Sequence, residues 1–132
     1  MATIKSYTDI SQSKKLAVFL PIESADMEYL SIKENGLLIG NVPFVKDDSE
    51  VEDSASSYYF NKIPCWSLAA LLSILPTIDD RNAEFCKDIR CNKWHIYYHG
   101  TATLPTIDTD RYESLVDACI EMITKFHELK ML

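Results

Sequence analysis

Several features on which small functional domains often rely are scarce in this 132-residue chain. It has only three glycines, Gly36, Gly40 and Gly100, and they form neither a phosphate-binding loop nor a dinucleotide fingerprint. Lysine and arginine number 13 against 20 aspartates and glutamates, which gives a net charge of −7. This balance disfavours nucleic acid and anionic membranes, because phosphate binding relies on clustered basic side chains. A basic partner is favoured instead.

The chain also lacks a long apolar run. Residues 1–10, MATIKSYTDI, contain no signal-peptide core, and the most apolar stretch, residues 63–76, is shorter than the roughly 20 residues of a membrane span. We therefore expect a cytoplasmic protein with no membrane partner. In that reducing compartment, free thiols are expected at all four cysteines, Cys65, Cys86, Cys91 and Cys119.

The chain does contain enough apolar material for one core. Hydrophobic residues make up 47% of it, so residues 1–132 are expected to form a single globular domain. The stretch IPCWSLAALLSILP at 63–76 has prolines near both ends and leucines at helical spacing, namely Leu68, Leu71, Leu72 and Leu75. This pattern predicts a buried core helix from Cys65 to Leu75.

Two further helices are predicted at the ends of the chain. Thr8 or Asp9 can cap a first helix that runs to Leu20, where Pro21 stops it. Ser114 opens a last helix, and its spacing predicts an inward face of Val116, Cys119, Ile120, Ile123 and Phe126.

Two hairpins are predicted between these helices. Asn35-Gly36 separates β-type runs at 29–34 and 37–42, and Asn-Gly is the strongest short hairpin signal. A second pair at 83–90 and 94–99 is joined by a Cys-Asn-Lys turn.

The second hairpin is expected to turn Trp94, Ile96 and Tyr98 toward the core. Residues 101–107 predict at most a short edge strand, because Pro105 interrupts them. The predicted fold class is α+β, with two layers: about three helices pack on one face of an antiparallel sheet of four or five strands.

A strongly acidic stretch separates the first hairpin from the core helix. Residues 46–57, KDDSEVEDSASS, hold five acids within the seven positions 47–53 and have no apolar period. We expect a mobile, solvated loop that carries much of the net charge.

Three stretches resemble landmarks of a family of short proteins encoded by gut Bacteroidales and their bacteriophages. They are ESADM at 23–27, IPCWSLAALL at 63–72 followed by Leu75-Pro76, and VDACIEM at 116–122. The run Pro-x-Trp-Ser-Leu-Ala-Ala-Leu-Leu is the specific part. The chain departs from the family at Ser114-Leu115, where Asn-Pro is common. The resemblance implies a phage or mobile-element context and no particular reaction.

The histidines and cysteines suggest a metal site only superficially. Cys86, Cys91, His95 and His99 have the composition of a Cys2His2 zinc site, but a zinc finger separates its two pairs by about a dozen residues and this chain by three. On a strand, His95 and His99 would lie roughly 13 Å apart, too far for one ion. Only a helical segment would bring them together, so we expect no metal and no cofactor.

Cys65 is the best candidate for a catalytic nucleophile, because a helix N-terminus would lower the pKa of its thiol. Catalysis would also need a histidine base and a group that orients it, and no local signature supplies them. The competing interpretation is a small buried residue beside Trp66. We therefore assign no catalytic residue and lean away from an enzyme.

Five residues are candidates for ligand or partner contacts. Asp26 and Ser67 are expected near the free N–H groups at the start of the core helix, which could hold an anion or a carboxylate. Trp66, Tyr58 and Tyr59 add aromatic surface. The competing interpretations are that Asp26 caps a nearby turn or helix and that the aromatic residues are buried.

The sequence therefore favours a small non-enzymatic binding or interaction protein of phage or mobile-element type, acting on a host protein with a basic surface; a homo-oligomer is compatible with it. The alternative is a protein that binds or sequesters a nucleotide-like small molecule, stacking its base on Trp66 and the tyrosines. A cysteine-dependent enzyme is the third and less favoured interpretation.

Overall fold

A computed structural model describes residues 5–40, 42–46 and 60–132. The chain forms two compact units, Tyr7–Ser67 and Leu68–Leu132, the second of which includes Lys5 and Ser6. Within the described residues the fold is α+β, with three α-helices and two three-stranded antiparallel sheets. The predicted class is confirmed. A single sheet of four or five strands is not, because the described strands divide between two sheets.

In the first unit, α1 spans Ile10–Ala17 and is capped by Asp9. The Asp9 carboxylate accepts a hydrogen bond from the Gln12 N–H at 2.8 Å, and the Asp9 N–H donates to Gln12 Oε1 at 3.1 Å. This reciprocal pair is a capping box, which satisfies two N–H groups at the helix start. The first helix is confirmed, although it ends before the predicted Leu20.

The sheet of the first unit is built around β1 (Met27–Ile32), with β2 (Phe44–Val45) on one side and β3 (Phe60–Cys65) on the other. Gly36 has a positive φ of 72° but Asn35 does not, so the predicted two-residue Asn-Gly turn is replaced by a wider one, in which the Gly36 N–H donates to the Ile32 carbonyl at 2.7 Å. Past the turn, Leu38 makes one bridge to Ser31 and the ladder resumes only at β2. The hairpin is confirmed, but its second strand is shorter and lies later than residues 37–42.

The predicted start of the core helix was wrong. Residues 63–65 end strand β3, where Pro64 pairs with Glu28 and Cys65 with Met27, and helix α2 spans Leu68–Ile74. Pro64 fits because β3 is an edge strand of its sheet, where a missing N–H is tolerated. Leu71 in α2 is fully buried, as predicted.

The sheet of the second unit has the order β4-β5-β6, with β4 at Glu84–Asp88, β5 at Lys93–Tyr98 and β6 at Ile107–Asp108. The second hairpin is thus confirmed. The short edge strand is also present, but it lies later than predicted, because β6 shares only Ile107 with residues 101–107. Ile96 and Tyr98 are fully buried, and Trp94, on the same face, is half-buried.

The last helix, α3, spans Leu115–Glu128, and Ser114 Oγ caps it by accepting the Val116 N–H at 3.1 Å. Its residues at the predicted inward positions are fully buried except for the half-buried Ile120. The rings of Phe126 and Tyr98 meet edge to face, with centroids 5.3 Å apart, which joins α3 to β5.

Tyr58, Tyr59 and all of the predicted acidic loop except Lys46 lie outside the described residues. In the part of the chain that is described, no helix has the length and apolar character needed to cross a membrane.

Candidate functional site

Two of the three landmark stretches meet through Asp26 and Ser67. Asp26 Oδ1 accepts the Ser67 backbone N–H at 2.9 Å, and Asp26 Oδ2 accepts the Ser67 hydroxyl. Both carboxylate oxygens are therefore engaged by a residue 41 positions away in the chain. The predicted proximity of Asp26 to a free N–H group is found, but the carboxylate satisfies that group itself. This geometry supports the capping interpretation.

Trp66 makes a second link between the same two stretches. Its side chain is fully buried, and its indole Nε1–H donates to Ser24 Oγ at 2.9 Å. Ser24 Oγ in turn donates to the carbonyl of Pro21 at 2.6 Å. The Trp66 main chain exchanges bonds with Thr8, accepting its N–H at 3.0 Å and donating to its hydroxyl at 3.1 Å. Trp66 therefore belongs to the core and offers no open ring face.

The third landmark, residues 116–122, supplies the buried face of α3. Its fully buried members are Val116, Ala118, Cys119 and Met122. All three stretches that carry the family resemblance thus contain residues that hold the fold together.

Cys65 lies in a buried polar cluster that sequence reasoning missed. Its thiol donates to the carbonyl of Thr8 at 3.4 Å and accepts from the Thr8 hydroxyl at 3.5 Å. The Thr8 hydroxyl also shares a 2.7 Å hydrogen bond with Ser13, and Tyr29 donates to the Thr8 carbonyl at 2.7 Å. Thr8, just before α1, and Ser13, within its first turns, are fully buried polar residues. Their places near the predicted start of the helix were the only sequence signal of this cluster.

The environment of Cys65 is unsuited to a nucleophile. The residue ends a strand and does not begin a helix, so the expected pKa-lowering helix terminus is not there. Burial raises the pKa of the Cys65 thiol, and this outweighs the nearby hydroxyl groups, which lower it. Burial also raises the pKa of Cys119 to about 12. Both thiols stay protonated at neutral pH and are poor nucleophiles.

Two of the three histidines lie at β5: His95 within the strand and His99 directly after its end. Tyr97 stands between them, its ring centroid 5.3 Å from that of His95 and 5.1 Å from that of His99. His99 Nε2 lies 3.3 Å from a carboxylate oxygen of Glu84, in an exposed pair. All four cysteines are free thiols, as predicted. No group of three or more metal-ligating side chains that could hold an ion occurs in residues 5–40, 42–46 and 60–132.

A row of exposed apolar side chains is the second feature that sequence reasoning missed. We call it the hairpin edge and define it as Leu37 (62% exposed), Leu38 (44%), Val42 (56%), Phe44 (43%) and Val45 (76%). Residues 37–42 were interpreted as an ordinary hairpin strand, and Phe44 and Val45 were assigned to no element. Because their exposure depends on where the sheet ends, the local pattern could not reveal it.

The strand pairing places the hairpin edge along one side of β1. Strand β3 occupies one side of β1 over its whole length, from Met27 to Ile32. Leu38 bridges Ser31, and β2 pairs with Met27 and Glu28, so both must lie on the opposite side. The five residues therefore follow the outer edge of the sheet.

No protein family, curated protein or solved structure matches this chain in sequence or fold. Its function has to be inferred from its own surface and chemistry.

Proposed function

We propose that this chain is a small non-enzymatic binding protein of phage or mobile-element type, which acts on a host protein in the bacterial cytoplasm through its hairpin edge. The observation that carries the proposal is the exposure of five apolar side chains along one edge of a sheet. Scattered exposed apolar residues are ordinary on soluble proteins. A concentration of them, here five within the nine positions 37–45, is typical of an interaction site.

The roles of the conspicuous polar residues also favour binding over catalysis. Asp26 and Ser67 hydrogen-bond each other, and Trp66 is fully buried with its N–H bonded to Ser24. Cys65 is buried with a raised pKa. The side chains of these residues are used within the fold, whereas the side chains of the hairpin edge leave apolar surface exposed.

The same contacts weaken the nucleotide-like alternative, since stacking on a base requires an accessible ring face and Trp66 has none. Thermal-shift screening against nucleotides tests that alternative directly. A ligand present at 100 times its dissociation constant would add about 2.7 kcal/mol to the unfolding free energy. An increase of this size with any nucleotide would favour the nucleotide-binding alternative.

The binding proposal can be tested by affinity capture from a lysate of a Bacteroidales host with three forms of the immobilised protein. The double variant Phe44→Ser/Val45→Ser removes apolar surface from the hairpin edge. Ile89→Ser is the matched control, because Ile89 is 93% exposed but lies in the turn between β4 and β5. We expect the wild type and the control to enrich the same host protein. The enrichment by the double variant should be at least about fivefold lower.

The captured protein is then purified, and its dissociation constant is measured for all three forms. Equal affinity for the double variant and the wild type would contradict a role for the hairpin edge. Failure of every form to enrich any host protein would count against the proposed function as a whole.

A further inference from the structure

We propose that Cys86 and His95 form a two-ligand site for a soft monovalent metal ion, copper(I). The Cys86 thiolate and one imidazole nitrogen of His95 each donate a lone pair to the same ion. Both residues lie in the second unit, whereas the hairpin edge belongs to the first, so the site is independent of the proposed function. Three observations carry it: the pairing of the two residues, an unpartnered nitrogen, and the number of ligands.

The pairing of β4 with β5 places the two side chains next to each other. Cys86 and His95 are directly opposite in the antiparallel register, so their side chains lie on the same face of the sheet, with Cβ atoms about 4.5–5.5 Å apart. With distances like those of zinc, about 2.3 Å to sulfur and 2.1 Å to nitrogen, an ion in line with both ligands holds them about 4.4 Å apart. The spacing across the strands therefore suits one ion.

His95 has a ring nitrogen that the fold does not use. Its Nδ1 is buried and has no hydrogen-bond partner among the described residues. Nearly all buried polar atoms in folded proteins are hydrogen-bonded, and an exception calls for an explanation such as a bound water or ion. Nδ1 is the ring nitrogen closer to the main chain, which suits a neighbour as short as cysteine. Ligation of an ion by Nδ1 satisfies this atom.

The surroundings of His95 hold its ring and leave the pair open to solvent. Tyr97 stacks on the ring, with centroids 5.3 Å apart and an angle of 26° between the planes, so packing restricts its orientation. Cys86 and His95 are both half-buried, so a small ion can reach them. His99 is not needed as a ligand, since its Nε2 lies 3.3 Å from a Glu84 carboxylate oxygen. The site therefore differs from the four-residue zinc site that the composition suggested.

The ligand set selects the metal. Within residues 5–40, 42–46 and 60–132, no group of three or more histidine, cysteine or carboxylate side chains could hold an ion, so the pair stands alone. Structural zinc sites use four ligands, and calcium and magnesium take several oxygens. Thiolate is a soft ligand that selects copper(I), and imidazole also suits copper. One thiolate and one imidazole therefore fit copper(I) best among the common metals.

Binding exchanges a proton for the ion. As the copper–sulfur bond forms, the Cys86 thiol releases its proton to solvent, because the thiolate is the metal ligand. His95 binds as neutral imidazole and releases nothing. Copper(I) arrives from a small-molecule complex and leaves the ligands of that complex behind. No electron is transferred, so the ion remains copper(I).

Competition with the coloured copper(I) chelator bicinchoninate, without oxygen, measures the affinity of the full-length protein. The ligand variants are Cys86→Ser and His95→Gln. Cys91→Ser is the matched control, because it also removes one of the four thiols but at an exposed position in the turn between β4 and β5. Loss of an outer-shell partner already costs about 10–100-fold in metal affinity, so each ligand variant should bind at least about tenfold more weakly than the parent, and the control within about twofold.

X-ray absorption at the copper edge identifies the ligands in the unmutated protein and so does not depend on the folding of any variant. We expect one ion per chain with one sulfur and one imidazole nitrogen as neighbours. Copper(I) should also raise the melting temperature of the parent and of Cys91→Ser, because the ion binds the folded state. Equal affinities for Cys86→Ser and Cys91→Ser, two sulfur neighbours, or zinc bound more tightly than copper(I) would overturn the proposal.

Discussion

Asp26 illustrates, at the scale of single residues, how a conspicuous polar position can belong to the fold. Its carboxylate accepts both the N–H and the hydroxyl of Ser67, so it acts as a cap that comes from a distant part of the chain. A side chain that accepts a backbone N–H in this way typically contributes about 1 kcal/mol. This role can be separated from ligand binding by measuring stability.

We predict that Asp26→Ala lowers the unfolding free energy by about 1 kcal/mol, because the Ser67 N–H loses its acceptor. Asp26→Asn keeps one acceptor oxygen and should cost less. Glu23→Ala, a change at an exposed acid of the same stretch, is the control and should stay within about 0.5 kcal/mol of the parent. Urea unfolding checks all three. If Asp26→Ala is as stable as the parent, the fold does not need the Asp26 carboxylate, and a role in ligand binding is favoured instead.

A second residue-scale prediction concerns pH. Burial raises the pKa of Cys119 from 9.0 to about 12, so the folded state holds its proton when the unfolded state releases it. The stability that this protonated thiol contributes is complete below pH 9 and is lost progressively as pH rises toward 12. Stability should therefore fall between pH 8 and pH 10, with a contribution from Cys119 of up to about 1.4 kcal/mol per pH unit.

Removing the thiol should flatten this dependence. Cys119→Ala should show a shallower fall of unfolding free energy from pH 8 to pH 10 than the parent, whatever its stability at pH 8. Cys91→Ala, at an exposed thiol, is the control and should keep the parental slope. Identical slopes for all three proteins would show that Cys119 titrates alike in the folded and unfolded states.

At this scale, the sequence predicted what depends on near neighbours. The sequence offered Thr8 or Asp9 as the first cap and Ser114 as the last. The caps that form, Asp9 and Ser114, have partners within three residues, Gln12 and Val116. The Asp26–Ser67 and Ser24–Trp66 bonds span about forty residues, so no local spacing announces them. The sequence could mark these positions as unusual but not say which pairs would meet.

Among the elements, the first hairpin depends on one residue for its turn. Gly36 has a φ of 72°, and a Cβ built there meets nothing within 4 Å. We predict that Gly36→Ala costs about 1 kcal/mol from backbone strain alone, since space is not limiting. Gly36→Asn should cost clearly less, because asparagine tolerates positive φ better. Equal stabilities for the two variants in urea unfolding would show that the turn relaxes to another conformation.

Helix α2 is short, and its stability comes from burial. Leu71 is fully buried, so Leu71→Ala should lower the unfolding free energy by about 2 to 5 kcal/mol through lost contacts and the cavity left behind. The control is Leu129→Ala, in the same unit and 60% exposed, with an expected change below about 0.5 kcal/mol. Guanidinium unfolding decides it, and a cost below about 0.5 kcal/mol for Leu71→Ala would mean that α2 is packed differently.

The start of α2 is a position that local sequence patterns predict wrongly. Ile63, Pro64 and Cys65 fit the leading turn of a helix, since proline is favoured there. In the fold they complete β3, because pairing with β1 satisfies backbone groups that a helix would have satisfied internally. Their partners in β1 lie 34 to 38 positions earlier, and only the tertiary fold specifies that pairing.

Across the whole molecule, the same limit explains the number of sheets. Both hairpins were predicted from turn residues and alternation, which are local signals. Each hairpin gains its third strand from elsewhere, β3 in one case and β6 in the other, so the described strands form two sheets of three rather than one larger sheet. The pattern of polar and apolar residues along the chain selects the fold class. The pairing of strands far apart in sequence decides how the strands are divided between sheets.

The last prediction concerns the acids of residues 47–53, which lie outside the described part of the chain. Converting all five to asparagine or glutamine changes the net charge from −7 to −2 and keeps the length of the segment joining Lys46 to Phe60. Five like charges within seven residues repel, and Val51 is the only apolar residue among them, so their removal should cost the fold little.

We therefore expect the melting temperature of the neutralised protein to stay within about 5 °C of the parent, and deletion of residues 47–53 to behave alike. Asp9→Ala is the comparison, since it removes the cap of α1 and should lower the melting temperature by several degrees. Calorimetry measures all four proteins. A fall of more than about 10 °C on neutralisation would mean that the acids are paired with lysine or arginine in the folded chain, and they would then be unavailable to a basic partner.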